Sequence, residues 1–147
     1  MTIPQLTPDA SHQTLTSDET AVYLDVRTEA EFDDGHPNGA WNLPIAFADP
    51  DGQMIMNPDF LEVARHVLPQ DRFVICGCKS GGRSQAAAEY LLAAGYDRVA
   101  NVTGGFLGAP DPTGLGRTPG WLEQDLPVSN TVDHERSHSG LRQRAGL

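Results

Sequence analysis

Apolar and polar positions change period several times along this chain, and each change marks an element. Thr7-Pro8-Asp9 has the order of N-cap, first-turn proline and first-turn acid, which predicts a short helix before a polar stretch through Glu19. Val22-Tyr23-Leu24-Asp25-Val26 is a run of β-formers and predicts a strand. Thr28 and Glu31 stand at capping-box spacing and open a second short helix toward Phe32. A polar turn from Asp33 to Gly39 leads into Ala40-Trp41-Asn42-Leu43, another short strand. After the turn-rich residues 44–53, Asn57-Pro58-Asp59 repeats the cap-proline-acid order. Phe60, Leu61, Val63, Ala64, Val67 and Leu68 then mark one helical face, which Pro69 ends. Phe73-Val74-Ile75-Cys76 is a nearly continuous apolar run, the pattern of a parallel strand buried on both faces. An alanine-rich helix follows from Arg83 to Ala94, closed by Gly95, and Val99 to Val102 predicts one more strand. Strands alternating with helices argue for an α/β fold in which helices cover both faces of a parallel sheet. Ligands in such folds bind beyond the carboxyl ends of the strands.

Composition narrows the functional classes. At 147 residues and 39% hydrophobic content the chain suits one domain that buries a core without staples. A net charge of -10 with no basic run argues against nucleic-acid and anionic-membrane partners. Two cysteines one residue apart are neither a disulfide framework nor a zinc ribbon, and they fit a reducing compartment. Met1-Thr2-Ile3-Pro4-Gln5 lacks the charge and apolar run of a leader, and no stretch of 18 apolar residues occurs, so a cytoplasmic location is the expectation.

The chemistry concentrates in Cys76-Gly77-Cys78-Lys79-Ser80-Gly81-Gly82-Arg83-Ser84, which holds both cysteines and the single lysine of the chain. It lies between a predicted strand and a predicted helix, at the ligand end of the sheet. A turn with three glycines can aim successive N–H groups inward, and the following helix adds unpaired N–H groups and its positive dipole end. A thiol on the rim of such a cradle is favoured as the thiolate. Lys79 and Arg83 then make a positive patch on a negative protein, suited to drawing a small anion to the Cys78 sulfur.

At these residues the chain resembles the single-domain rhodaneses, a family of sulfurtransferases. Cys78-Lys79-Ser80-Gly81-Gly82-Arg83-Ser84 is similar to the family's active-site loop. Leu24-Asp25-Val26-Arg27, Glu31-Phe32, Gly35-His36, Gly39-Ala40 and Asn42-Leu43-Pro44 resemble its first-half signature. Gly104-Gly105, Trp121 and Leu126-Pro127-Val128 resemble its C-terminal end. The resemblance implies a rhodanese-like sheet of about five parallel strands over residues 1–128, with the Cys78 loop on the central strand and a polar tail over 129–147. It implies Cys78 as nucleophile, residues Lys79 to Ser84 as the substrate-binding loop, a small sulfur-containing anion as donor, a thiol, protein thiol or cyanide as acceptor, and neither cofactor nor metal. The chain departs from the family at Pro37, at Cys76, and in the residues from Phe106 to Gly120, a longer insert than compact members carry. Four residues separate Cys78 from Arg83, where phosphatases and arsenate reductases of the same fold have five. The shorter loop suits a sulfane sulfur; a phosphatase-like or arsenate-reductase-like enzyme is the runner-up, and a persulfide relay acting with a partner protein is the third possibility.

The remaining polar residues have plainer readings. Asp25, Arg27 and Glu31 are expected to form a structural ion-pair and capping cluster near the strand end, and His36 to serve as a hydrogen-bonding scaffold residue. Arg83 orients the loop, binds the substrate anion, or both; Ser84 starts the helix or contacts substrate. Cys76 reads as a small buried hydrophobe. The insert 106–120, rich in Gly and Pro, reads as a mobile surface loop beside the Cys78 loop, with Arg117 adding charge at its mouth. His134 and His138 have i,i+4 spacing but lie in the polar tail, which reads as a flexible terminus rather than a metal site.

Overall fold

The computed structural model describes residues 2–147. Five parallel strands form the main sheet: β1 (Gln5–Leu6), β2 (Ala21–Asp25), β3 (Trp41–Asn42), β4 (Phe73–Gly77) and β5 (Val99–Val102). Their spatial order is β1-β5-β4-β2-β3, which places β4 at the centre. Helices α1 (Pro8–Ser17), α2 (Glu29–Asp34), α3 (Phe60–Val67), α4 (Gly82–Ala93) and α5 (His138–Arg144) cover it. This is the α/β architecture that the alternating periods predict.

The period-2 pattern divides the core. Val22, Leu24, Val74, Cys76 and Val99 point to one face, against Val63 and Val67 of α3, Ala87, Ala88 and Leu91 of α4, and Leu141 of α5. Tyr23, Ile75 and Val102 point to the other, against Phe32 of α2, Phe106 and Trp121, with Leu15 of α1 at its margin. Burial on both faces is why β4 reads as an unbroken apolar run. β2 and β4 pair in register from Ala21 opposite Phe73 to Asp25 opposite Gly77, so the two strands end side by side where the Cys78 loop begins.

The helix starts follow the caps. The Thr7 hydroxyl accepts from the Ala10 N–H, and the Thr28–Glu31 capping box is present in both directions. Asn57 acts otherwise than its spacing suggests: its side chain ties the Pro44 carbonyl and the Asp59 N–H together, while α3 begins at Asp59 without a side-chain cap.

Two regions differ from the sequence expectation. The expected flexible terminus is ordered. Val128–Ser129 pairs with His36–Pro37, a turn at His134–Arg136 follows, and Ser137 caps α5 at the Gly140 N–H. Leu141 is fully buried in the main core and Arg142 pairs with Asp59 at 3.0 Å, so one apolar anchor among polar residues docks the segment, too little to show as a period. The insert 106–120 is likewise built rather than free. Ala109–Pro110 and Arg117–Thr118 form a small antiparallel ladder, and Phe106 is buried. Strand β1, opposite Asn101 and Val102, is too short to carry a pattern of its own.

Candidate active site

The site lies at the carboxyl end of the central strand, in the loop between Gly77 and the start of α4. Gly81 sits at the N-cap of α4 with φ 117°, a left-handed conformation that glycine adopts without strain, and this folds the loop back over its own cysteine. The Cys78 Sγ accepts from the Gly81 N–H at 3.1 Å and faces the Ser84 hydroxyl at 3.2 Å. Among the described residues, the N–H groups of Lys79, Ser80, Gly82, Arg83 and Ser84 have no protein acceptor. They join the positive end of α4 in a cradle around the sulfur.

A second layer holds this loop. The Cys78 and Lys79 carbonyls accept from the N–H groups of Phe106 and Leu107, the first two residues of the insert. Gly105 makes that approach possible: a Cβ there would stand 2.5 Å from the Cys78 carbonyl oxygen, and its φ is 59°. The Ser84 hydroxyl, with one proton to give, also lies 2.5 Å from Asn101 Oδ1, which competes with the sulfur for it, and the Asn101 amide group donates to Gln5 Oε1 at 2.9 Å. Asn101 was not among the residues singled out from sequence; the available signal was a single polar side chain in the middle of the apolar strand Val99–Val102.

The charged residues separate into two pairs rather than one cluster. Asp25 and Arg27, both buried, form a bidentate pair, with Arg27 also donating to the Gly35 carbonyl and lying 4.5 Å over the Phe106 ring. Arg83 instead binds Glu31, at 2.8 and 2.9 Å through its two terminal nitrogens. Hydrogen bonds from Arg83, helped by those from Thr28, pull the Glu31 carboxylate down from its ordinary 4.5 to about 2. With both terminal nitrogens on Glu31, Arg83 ties the loop to α2. Ser84 is fully buried beneath the sulfur, in the first turn of α4.

The others stand as follows. Lys79 and Ser80 are exposed on the loop, and Lys79 has no carboxylate partner among the described residues. His36 is buried, stacked on Phe32 at 3.7 Å and bonded to its carbonyl at 2.7 Å, as a scaffold residue would be. Cys76 is fully buried; desolvation, with the neighbouring Cys78 adding to it, pushes its thiol well above the ordinary range, so it remains a neutral thiol. Arg117 is bound to Glu123 and to the Leu107 carbonyl, so it staples the insert instead of presenting free charge at the mouth. His134 and His138 bond separate partners, Gln143 and Glu29.

Fold and site together define an α/β domain with a cysteine held in an amide cradle at the end of its central strand. The model of the rhodanese-like domain matches residues 7–108, and the chain belongs to that family. Thiosulfate sulfurtransferase 18 of Arabidopsis thaliana is 38% identical over 117 residues, covering 78% of this chain and 76% of that protein. Protein HIGH ARSENIC CONTENT 1, mitochondrial, of the same plant is 42% identical over 107 residues, 73% of this chain and 61% of its own length. The crystal structure of Rv0390 from M. tuberculosis superposes with a TM-score of 0.72 at 32% identity, covering 89% of this chain and all of that one.

Proposed function

We propose that the protein is a sulfurtransferase that carries a sulfane sulfur on Cys78, with thiosulfate or a similar anion as donor. The Cys78 thiolate attacks the outer sulfur of thiosulfate; the S–S bond breaks and sulfite leaves with the electron pair. The product is a Cys78 persulfide whose terminal sulfur bears the negative charge. An acceptor such as cyanide or a thiol then takes that sulfur and the Cys78 thiolate returns. No separate general base is needed, because the loop amides and the end of α4 stabilise the sulfur anion before and after transfer.

The observation that carries this reading is the geometry at Cys78 Sγ, with the Gly81 N–H and the Ser84 hydroxyl already placed on it and the remaining loop amides left without acceptors. Four residues between Cys78 and Arg83 leave a smaller ring than a tetrahedral oxyanion needs, and Arg83 is committed to Glu31. Both points favour sulfur transfer over phosphate or arsenate chemistry. The test is thiocyanate formation from thiosulfate and cyanide by the purified protein and its Cys78→Ser variant, with p-nitrophenyl phosphate and arsenate as parallel substrates. Thiocyanate production that disappears in the variant supports the proposal. Turnover of phosphate ester or arsenate without thiocyanate would replace it.

A further inference from the structure

A groove of about 940 Å³ runs along the free edge of β2, beginning at Ala21, the opposite end of that strand from the Cys78 loop. β3 covers β2 only opposite Leu24 and Asp25, so among the described residues Ala21, Val22 and Tyr23 have no strand beside them on that side. Strand alternation decides which of their backbone groups face the gap. The Thr20 carbonyl and the Val26 N–H bond to Phe73 and Gly77 on the β4 side, whereas the Asp25 carbonyl accepts from Leu43 on the β3 side. Even residues thus point their backbone groups toward β4 and odd residues toward the free edge. The Ala21 N–H is taken by the Asp18 carbonyl, which leaves the Ala21 carbonyl and the Tyr23 N–H directed at the groove. One residue of an added parallel strand engages both.

The walls are charged against the character of the chain. Of its ten cations, Arg27, Arg83, Arg98, Arg117, Arg136 and Arg142 pair with carboxylates. Arg65, Arg72, Lys79 and Arg144 do not among the described residues, and of these Arg72 and Arg144 lie on Trp41 in this groove, 5.6 and 5.1 Å from the ring centroid. Backbone carbonyls hold them there: Arg72 donates to Thr20 at 3.0 Å and Arg144 to Glu135 at 3.1 Å, and their other donors remain open. Arg136 lies on the same wall, with Glu135 as the one acid among the described residues of the lining. On a protein of net charge -10, the groove is a local reversal of sign beside a sheet edge that lacks a strand partner among the described residues.

We propose that this edge takes an extended acidic segment of a partner protein. The segment adds as a short parallel strand along β2, its backbone on the Ala21 carbonyl and Tyr23 N–H and its carboxylates on Arg72 and Arg144. Backbone bonds supply the docking and the arginines select the charge. The proposal does not depend on sulfur transfer, and its test leaves Cys78 alone.

The probe is a fluorescein-labelled octapeptide of alternating glutamate and valine, titrated by anisotropy at low salt. Saturable binding is expected, weakened at least tenfold by Arg72→Glu with Arg144→Glu and at least tenfold when the peptide's valines are replaced by proline, which cannot donate. Amide exchange at Tyr23 should slow when the peptide binds. Arg144→Glu alone, at an exposed position, gives the same reading should the double variant melt early. No saturable binding overturns the proposal, as does equal affinity for the proline peptide, which would reduce the groove to a charged patch. A dimer of this chain that the arginine variants dissolve would assign the edge to a second copy instead.

Discussion

Replacing Glu31 with Gln asks whether Arg83 braces the Cys78 loop or waits for a substrate anion. The fold draws the Glu31 carboxylate from 4.5 to about 2, chiefly through its hydrogen bonds with Arg83, and such a shift corresponds to about 3 kcal/mol of linked stability. The two side chains are 31% and 25% exposed, so solvent screening reduces the expected cost of Glu31→Gln to about 1–2 kcal/mol at pH 7. That is about 3–6 °C in melting temperature for a domain of this size. The sign follows from a folded pKa below the unfolded one. The contribution is complete above about pH 5 and is lost as the pH falls through 4.5 toward 2, so wild type and variant should converge in stability in acid. Urea unfolding followed by tryptophan fluorescence across this range measures it. In the same variant kcat for sulfur transfer should fall, because the loop loses its tie to α2, with the KM for thiosulfate unchanged or raised. A stability difference that does not change with pH would refute the linkage argument. A lower KM with kcat intact would show that freeing Arg83 improves anion binding, and would refute the bracing role.

Four further outcomes are expected. Ser84→Ala removes a hydroxyl 3.2 Å from the sulfur whose one proton is shared with Asn101 Oδ1, so the loss is smaller than a full hydrogen bond to an ionised group, and alkylation of Cys78 by iodoacetamide at pH 7 should slow about threefold. Cys76→Ala should lose about 1 kcal/mol in urea titration while keeping sulfur transfer within a few-fold, because Cys76 is a buried neutral thiol. Lys79→Glu should raise the KM for thiosulfate, more at low than at high ionic strength, since an exposed charge acts through a screened field. Truncation after Val132 removes Leu141 from the core and should cost about 2–4 kcal/mol of unfolding free energy, whereas a mere appendage would leave it unchanged.

The sheet was legible because β2 and β4 are buried on both faces and leave runs of β-branched and aromatic residues. The Cys78 loop was legible because its glycines, its thiol and the one lysine are contiguous. What the sequence hid are contacts between distant segments. Glu31 and Arg83 are 52 residues apart, and their pairing leaves no local mark beyond a capping box that explains Glu31 on its own. Asn101 acts on the site through Ser84 from the neighbouring strand. The tail reads as a flexible terminus because its docking rests on Leu141 with polar partners, Arg142 on Asp59 and His138 on Glu29. Composition describes such a segment correctly as polar and still misses that it packs.

The account's central claim is that Cys78 carries sulfur, and intact mass spectrometry tests it most directly. Protein reduced, mixed with thiosulfate and desalted without reductant should gain the mass of one sulfur atom, lose it on addition of cyanide, and show no gain in Cys78→Ser. A wild-type mass that does not change, or a gain that persists in Cys78→Ser, would contradict it.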